Sequence, residues 1–152
     1  MKTVALNIRE YFQPVMGQRP WRARLGHGSF LTFEFGRRIK EDHHTHGEWH
    51  LWIYQSTWVL NRNDRKLADS DSERRTIEVA VRRLEECDLT DVKFNPQASV
   101  TEFQFADFRL VVSPADYIDN PDDQDDYWLF FMPDKTVLSA GPDGTDLGPS
   151  DR

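Results

Sequence analysis

Apolar and polar residues alternate with a period of two over most of the chain, and that period predicts strands. In SFLTFEFG (29–36), Leu31, Phe33 and Phe35 share one face while Phe30, Thr32 and Glu34 share the other. WRARL (21–25) precedes it, and Gly26-His27-Gly28 between them supplies residues suited to a tight turn, so a β-hairpin is expected. EWHLWIYQSTWVL (48–60) carries His50, Trp52, Tyr54, Ser56 and Trp58 on one face and Trp49, Leu51, Ile53, Gln55 and Thr57 on the other. Both faces are largely apolar, which predicts one central strand covered on each side. RRIKEDHHTHGE (37–48) is predicted as a polar connection, and 61–66 as a turn with Asn63-Asp64 at its tip. LTDVKF (89–94), VTEFQF (100–105), FRLVVS (108–113), YWLFFM (127–132) and TVLSA (136–140) complete the strands, with turns at Ala106-Asp107 and Pro133-Asp134-Lys135.

The period changes once. In SDSERRTIEVAVRRLEEC (70–87), Ile77, Ala80, Val81 and Leu84 form an i, i+3, i+4, i+7 stripe that predicts a long helix over about 71–87. Ser70 and Glu73 have the spacing of a capping box. Residues 5–13 predict a short helix stopped by Pro14. GPDGTDLGPSDR has little to bury, so residues 143–152 are expected to be a flexible tail and 1–142 a single domain. The expected fold class is α+β: a mostly antiparallel sheet of about six to eight strands, one long helix packed across it, and a short N-terminal helix.

Composition narrows the function. A length of 152 residues suits one domain, and with hydrophobic residues at 38% the ten Phe and five Trp must carry much of the burial. A net charge of −7 argues against nucleic acid as a partner and is compatible with a basic protein. Cys87 is the single cysteine, which excludes an internal disulfide and a multi-cysteine zinc site. The apolar run Val4-Ala5-Leu6 is too short for a signal peptide, and no segment has the length of a membrane span. A cytoplasmic monomer or homodimer is expected.

Four of the five histidines lie in EDHHTHGEWHLW (41–52). Imidazole is a common ligand for zinc and related metals, so His43, His44 and His46 are the candidate metal ligands, with Asp42 or Glu48 as added carboxylates and His27 the only histidine from another segment. No H-E-x-x-H or C-x-x-C motif accompanies them, and a solvated loop is the competing reading. His50 is expected to be a hydrogen-bonded core or pocket residue. With Trp52, Tyr54 and Trp58 it forms a candidate pocket or interface, and of the aromatic set Trp49, Trp52, Tyr54, Trp58, Trp128 and Phe130 most are expected in the core, with one or two at the rim of a cleft. The loop Asp116, Asp119, Asp122, Asp123, Asp125 and Asp126 lacks the glycine and glutamate of a calcium loop, and its carboxylates are candidates for meeting a basic partner. Glu34 and Glu102 would make an acid–base pair only if they converged. Cys87 lies among Glu85, Glu86 and Asp88, which weakens it as a nucleophile. No G-x-S-x-G elbow or P-loop is present.

The segment GEWHLWI (47–53), followed by the helix and the late hairpin at 126–143, resembles a family of small bacterial proteins that share a G-x-W-H-L-W-I strand. The resemblance implies one compact bacterial domain and brings no activity. The expected function is a non-enzymatic protein-binding module of the immunity or regulatory type, with no cofactor. The alternative is a metal-dependent or small-ligand enzyme built on the His43–His50 cluster, with zinc or another divalent metal.

Overall fold

Alternation places most of the large rings on one side of their strands, and two antiparallel sheets close over those rings. The computed structural model describes residues 7–150. In chain order the strands are β1 (Arg22–Leu25), β2 (Leu31–Glu41), β3 (His44–Ile53), β4 (Ser56–Arg62), β5 (Arg65–Asp69), β6 (Leu89–Asn95), β7 (Val100–Phe105), β8 (Phe108–Pro114), β9 (Trp128–Phe131), β10 (Thr136–Gly141) and β11 (Gly144–Pro149). A six-stranded sheet has the order β1-β2-β3-β9-β10-β11, and a five-stranded sheet the order β5-β4-β8-β7-β6. Every pairing is antiparallel. The α+β class and the antiparallel sheet hold; the strand number is higher than expected and divides between two layers.

Leu31, Phe33, Phe35, Leu51, Ile53, Trp128, Phe130 and Leu138 point inward from the first sheet and are fully buried. Trp58, Leu60, Phe103, Phe105 and Leu110 answer from the second. Phe33 stacks on Phe105 across the interface with ring centroids 5.5 Å apart. The buried indoles find acceptors: Trp128 Nε1 donates to Thr101 Oγ1 and Trp58 Nε1 to the Ser29 carbonyl, each at 2.8 Å. Unpaired, each would cost on the order of 1–3 kcal/mol.

The helices close the sides of this sandwich. Helix α1 (Ile8–Tyr11) packs against β6. Phe12, just after it, stacks on Phe130 at 4.1 Å and lies 5.7 Å from both Phe103 and Trp128, so one ring touches both sheets. Helix α2 (Arg74–Arg82) continues as a 3-10 turn over Arg83–Glu86 and buries Ile77, Ala80, Val81 and Leu84 as the stripe predicts. It lies against edge strands β1 and β5, not across a sheet face. Glu85 Oε2 accepts the Ala23 N–H of edge strand β1 at 2.8 Å and pairs with Arg24. Arg74 donates to the Gly28 and Gly26 carbonyls at 2.7 and 3.0 Å, pinning the β1–β2 turn.

Several expectations are corrected. The 48–60 segment is not one strand, because the chain leaves the six-stranded sheet at Tyr54-Gln55 and enters the five-stranded one. The Tyr54 and Gln55 N–H groups donate to the Tyr127 and Asp126 carbonyls at this corner. The inward set therefore changes phase, from Leu51 and Ile53 to Ser56, Trp58 and Leu60. The polar stretch 37–48 is not a connection either: it is the far half of a long β2–β3 hairpin, whose ladder satisfies backbone groups without needing an apolar face. The supposed turn at 61–66 holds only its tip, with Asn63 at φ 54°, and β5 follows immediately. No capping box forms, because Glu73 is itself the N-cap and Ser70 Oγ instead accepts the Trp58 N–H at 3.2 Å. The expected tail is strand β11 over Gly144–Pro149, paired along β10 with Leu147 opposite Leu138 and Thr145 opposite Ala140. The N-terminal expectation for residues 5 and 6 falls outside the described residues.

Candidate functional site

On β3 every second residue from His44 to Trp52 faces away from the core: His44, His46, Glu48, His50 and Trp52. Chemistry therefore concentrates on the outer face of the six-stranded sheet. One irregularity on the neighbouring strand decides which residues join them. The β2–β3 register shifts between Phe35 and Arg38, so Gly36 and Arg37 together oppose Glu48. This is a bulge, and it inverts the alternation of β2. Before it, Glu34 opposes His50 on the outer face; after it, Ile39 opposes His46 and Glu41 opposes His44 there.

Gly36 sits at φ +80°, and a Cβ there would meet Glu48 Oε1 at 2.8 Å and the Trp49 ring at 2.9 Å, so the bulge requires glycine. Glu48 holds it in place by accepting the Arg37 N–H at 2.8 Å, with Arg37 Nε 3.2 Å from its other oxygen. That backbone hydrogen bond, then the Arg37 side chain, keeps the Glu48 carboxyl below its ordinary pKa.

At the end of the hairpin, the imidazoles of His44 and His46 stack with centroids 5.5 Å apart. Glu41 Oε1 is 2.5 Å from His46 Nε2 and 3.9 Å from His44 Nε2. Donor atoms of the three side chains lie within 4.8 Å of one another. His46 Nδ1 is 2.8 Å from the Gly47 carbonyl oxygen, to which it donates. The hydrogen bond from His46 is the chief reason the Glu41 carboxyl is held below its ordinary pKa.

Further along the same face a buried network begins. Glu34 is 4% exposed and His50 is 7% exposed. Glu34 Oε1 accepts the Gly47 N–H at 2.7 Å, while its other oxygen pairs with His50 Nδ1. Trp52 Nε1 donates to His50 Nε2. A neutral imidazole with its proton on Nδ1 satisfies both neighbours. His50 is hydrogen-bonded, as expected, but on the outer face of the sheet and through partners that its place in the sequence does not indicate. Beside it, a cleft of about 240 Å3 is lined by Glu41, His46, Glu48, His50, Phe131 and Lys135 among others.

Aromatic rings continue the surface. Trp52 lies 5.0 Å from Phe131 and 6.4 Å from Tyr54, and Tyr54 lies 4.5 Å from Phe30. A second hollow of about 350 Å3 is bordered by His27, Phe30, Trp52 and Tyr54.

The structure sorts the candidates plainly. His44 and His46 come together, and Glu41, which sequence reasoning passed over, joins them. His43 occupies the hairpin turn beside Asp42, is exposed, and is no part of the group. His27 borders the other hollow. His50, Trp52 and Tyr54 share the outer face, whereas Trp58 is core. Asp119, Asp122 and Asp123 stay exposed along the loop, while Asp125 and Asp126 line a cleft of about 500 Å3 with Asp143 and Asp146. Burial and then Asp125, Asp146 and Asp143 push the Asp126 carboxyl above its ordinary pKa. Glu34 and Glu102 do not converge, since they lie in different sheets and Glu102 faces Arg109 at 3.5 Å. The Cys87 thiol is pushed up by burial first and then by Asp107, not by the neighbours in sequence. No described helix is long and apolar enough to cross a membrane.

No family model matches this chain, and neither does any curated protein or any solved structure compared with it.

Proposed function

We propose that the protein is a non-enzymatic binding module that docks a protein partner on the outer face of its six-stranded sheet, in an immunity-type or regulatory role. The observation that carries this reading is the contrast between the two outer faces. On the five-stranded sheet the outer rows are Val59-Val111-Glu102-Lys93 and Asn61-Arg109-Gln104-Asp91. Their charges pair with one another, Arg109 with Glu102, and with Arg9, which reaches Asp91 at 2.7 Å. On the six-stranded sheet the rows are Arg24-Thr32-Trp52-Leu129-Ser139-Asp146 and Arg22-Glu34-His50-Phe131-Val137-Gly148. Half-buried Trp52, Leu129, Phe131 and Val137 make the centre apolar, and both helices pack elsewhere. Large rings left at a solvated sheet face favour association with another surface.

Charge supports the kind of partner. Asp146 ends one row, and Asp125, Asp126 and Asp143 stand beside it. A partner with an apolar centre and Lys or Arg on one side fits this face, and the net charge of −7 would hasten the encounter.

The test is capture from native lysate at low salt with wild-type protein and with Leu129→Lys/Phe131→Lys as bait. The control is Val111→Lys on the opposite face. A saturable basic partner held by wild type and by the control but lost by the double variant supports the reading. Equal capture by all three baits, or no saturable partner, sinks it.

A further inference from the structure

We propose that Glu41, His44 and His46 bind one zinc-class divalent cation at the end of the β2–β3 hairpin. The site is separate from the apolar centre of the sheet face and does not depend on the docking role.

Three features argue for it. The first is convergence from two strands. His44 and His46, two apart on β3, project from one face, and the bulge at Gly36-Arg37 turns Glu41 to that face instead of Lys40. Without the inserted residue the carboxylate would point to the other side of the ribbon.

The second is orientation. His46 Nδ1 donates to the Gly47 carbonyl at 2.8 Å, which leaves Nε2 as the outward donor atom. A backbone acceptor on the far ring nitrogen is the usual way a metal-binding histidine is held. The carbonyl is itself fixed: the Gly47 N–H is bound to buried Glu34 at 2.7 Å, and a Cβ at Gly47 would run into the Phe35 backbone.

The third is the donor set. Ligands in a tetrahedral zinc site bind at about 2.0–2.1 Å, which spaces them roughly 3.3 Å apart. The present separations of 2.5 and 3.9 Å from Glu41 Oε1 straddle that value, and small rotamer changes in half-exposed and exposed side chains adjust them. Two imidazoles and one carboxylate suit zinc, copper(II) or nickel(II), whereas calcium and magnesium want more oxygens. Three protein ligands leave a position open toward solvent. Lys135 lies close enough to act on Glu41 electrostatically, which moderates the affinity.

The test uses untagged full-length protein and zinc chloride in calorimetric titrations, run in two buffers of different ionisation enthalpy. The expected result is one zinc per chain at micromolar concentration, with proton release and a raised melting temperature. His44→Ala, His46→Ala and Glu41→Gln should each weaken binding by more than about tenfold, the loss typical even of outer-shell changes. His43→Ala should leave it unchanged, and magnesium should not compete. Metal-free melts of the variants that match wild type separate loss of a ligand from loss of fold. Absence of saturable binding overturns the site, as does binding that survives the His44→Ala/His46→Ala double change. Equal loss with His43→Ala also overturns it, because the zinc would then be held by the histidine tract as a whole.

Discussion

At the scale of single residues, the largest commitment is the carboxylate of Glu34, which gives up water on the outer face of a sheet. It persists because the Gly47 N–H and His50 Nδ1 both meet it and because Trp52 occupies the other ring nitrogen. Glu34→Ala should cost about 2–4 kcal/mol, since two buried donors lose a charged acceptor; urea denaturation at neutral pH measures it, and a loss under about 0.5 kcal/mol would mean the network is not holding the strands. Asp126 has the opposite sign. Its carboxyl is raised by burial and by three neighbouring aspartates, so the folded state binds its proton more tightly than the unfolded chain does. Stability on this account falls as pH rises through the ordinary aspartate range and on to the raised value. Asp126→Asn should therefore stabilise the protein at pH 7 by a few tenths to about 1 kcal/mol, with the gain vanishing below about pH 4. Melts across that range would reveal the trend, and an equal gain at low pH would refute it. Arg62–Asp107 and Arg9–Asp91 run the other way: lowered carboxyls add stability above the ordinary range that is lost as acid protonates them.

Among the elements, β11 offers the sharpest comparison of sequence with fold. Its residues GTDLGP carry one large apolar side chain, so no alternation marks it, and its place comes from the six register pairs it makes with β10. Truncation after Pro142 should lower stability by about 2–4 kcal/mol, from losses of roughly 0.2–1 kcal/mol per cross-strand pair, and should promote aggregation by uncovering β10. A truncated chain that melts like wild type would restore the flexible tail. Legibility follows the contrast in burial between the two faces of each element. β7, β8 and α2 read cleanly because each has one buried and one solvated face, which stamps a period on the residues. The far half of the β2–β3 hairpin is solvated on both faces, so backbone pairing alone defines it and polarity resembled a loop. The corner at Tyr54-Gln55 has no glycine or proline to announce it. Two of the three residues in the candidate metal cluster, His44 and His46, are visible in the sequence, but Glu41 depends on the parity change at Gly36, which no spacing rule reports. The docking of the 3-10 turn that extends α2 is testable by Leu84→Ala, which should cost about 2–5 kcal/mol as a fully buried leucine.

Over the whole molecule, two sheets share one core, and the chain crosses between them twice, from β3 to β4 and from β8 to β9. The β3–β9 and β4–β8 pairings join strands distant in sequence, so folding is expected on the millisecond-to-second scale of two-sheet β topologies. Phe12 is where the N-terminal helix enters this core, with rings from both sheets around it. Phe12→Ala should cost about 3–5 kcal/mol. Stopped-flow refolding and unfolding would divide that cost: a change mainly in the unfolding rate places α1 docking after the rate-limiting step.

The disposition of the five indoles gives the molecule two optical signals. Trp58 and Trp128 are sealed between the sheets, while Trp21, Trp49 and Trp52 touch solvent. Native emission should therefore split into a blue component immune to acrylamide and a redder one that acrylamide quenches. Unfolding merges the two, whereas a molecule settling on the outer face shields only the second. Folding and surface occupancy can thus be followed separately in one unlabelled sample.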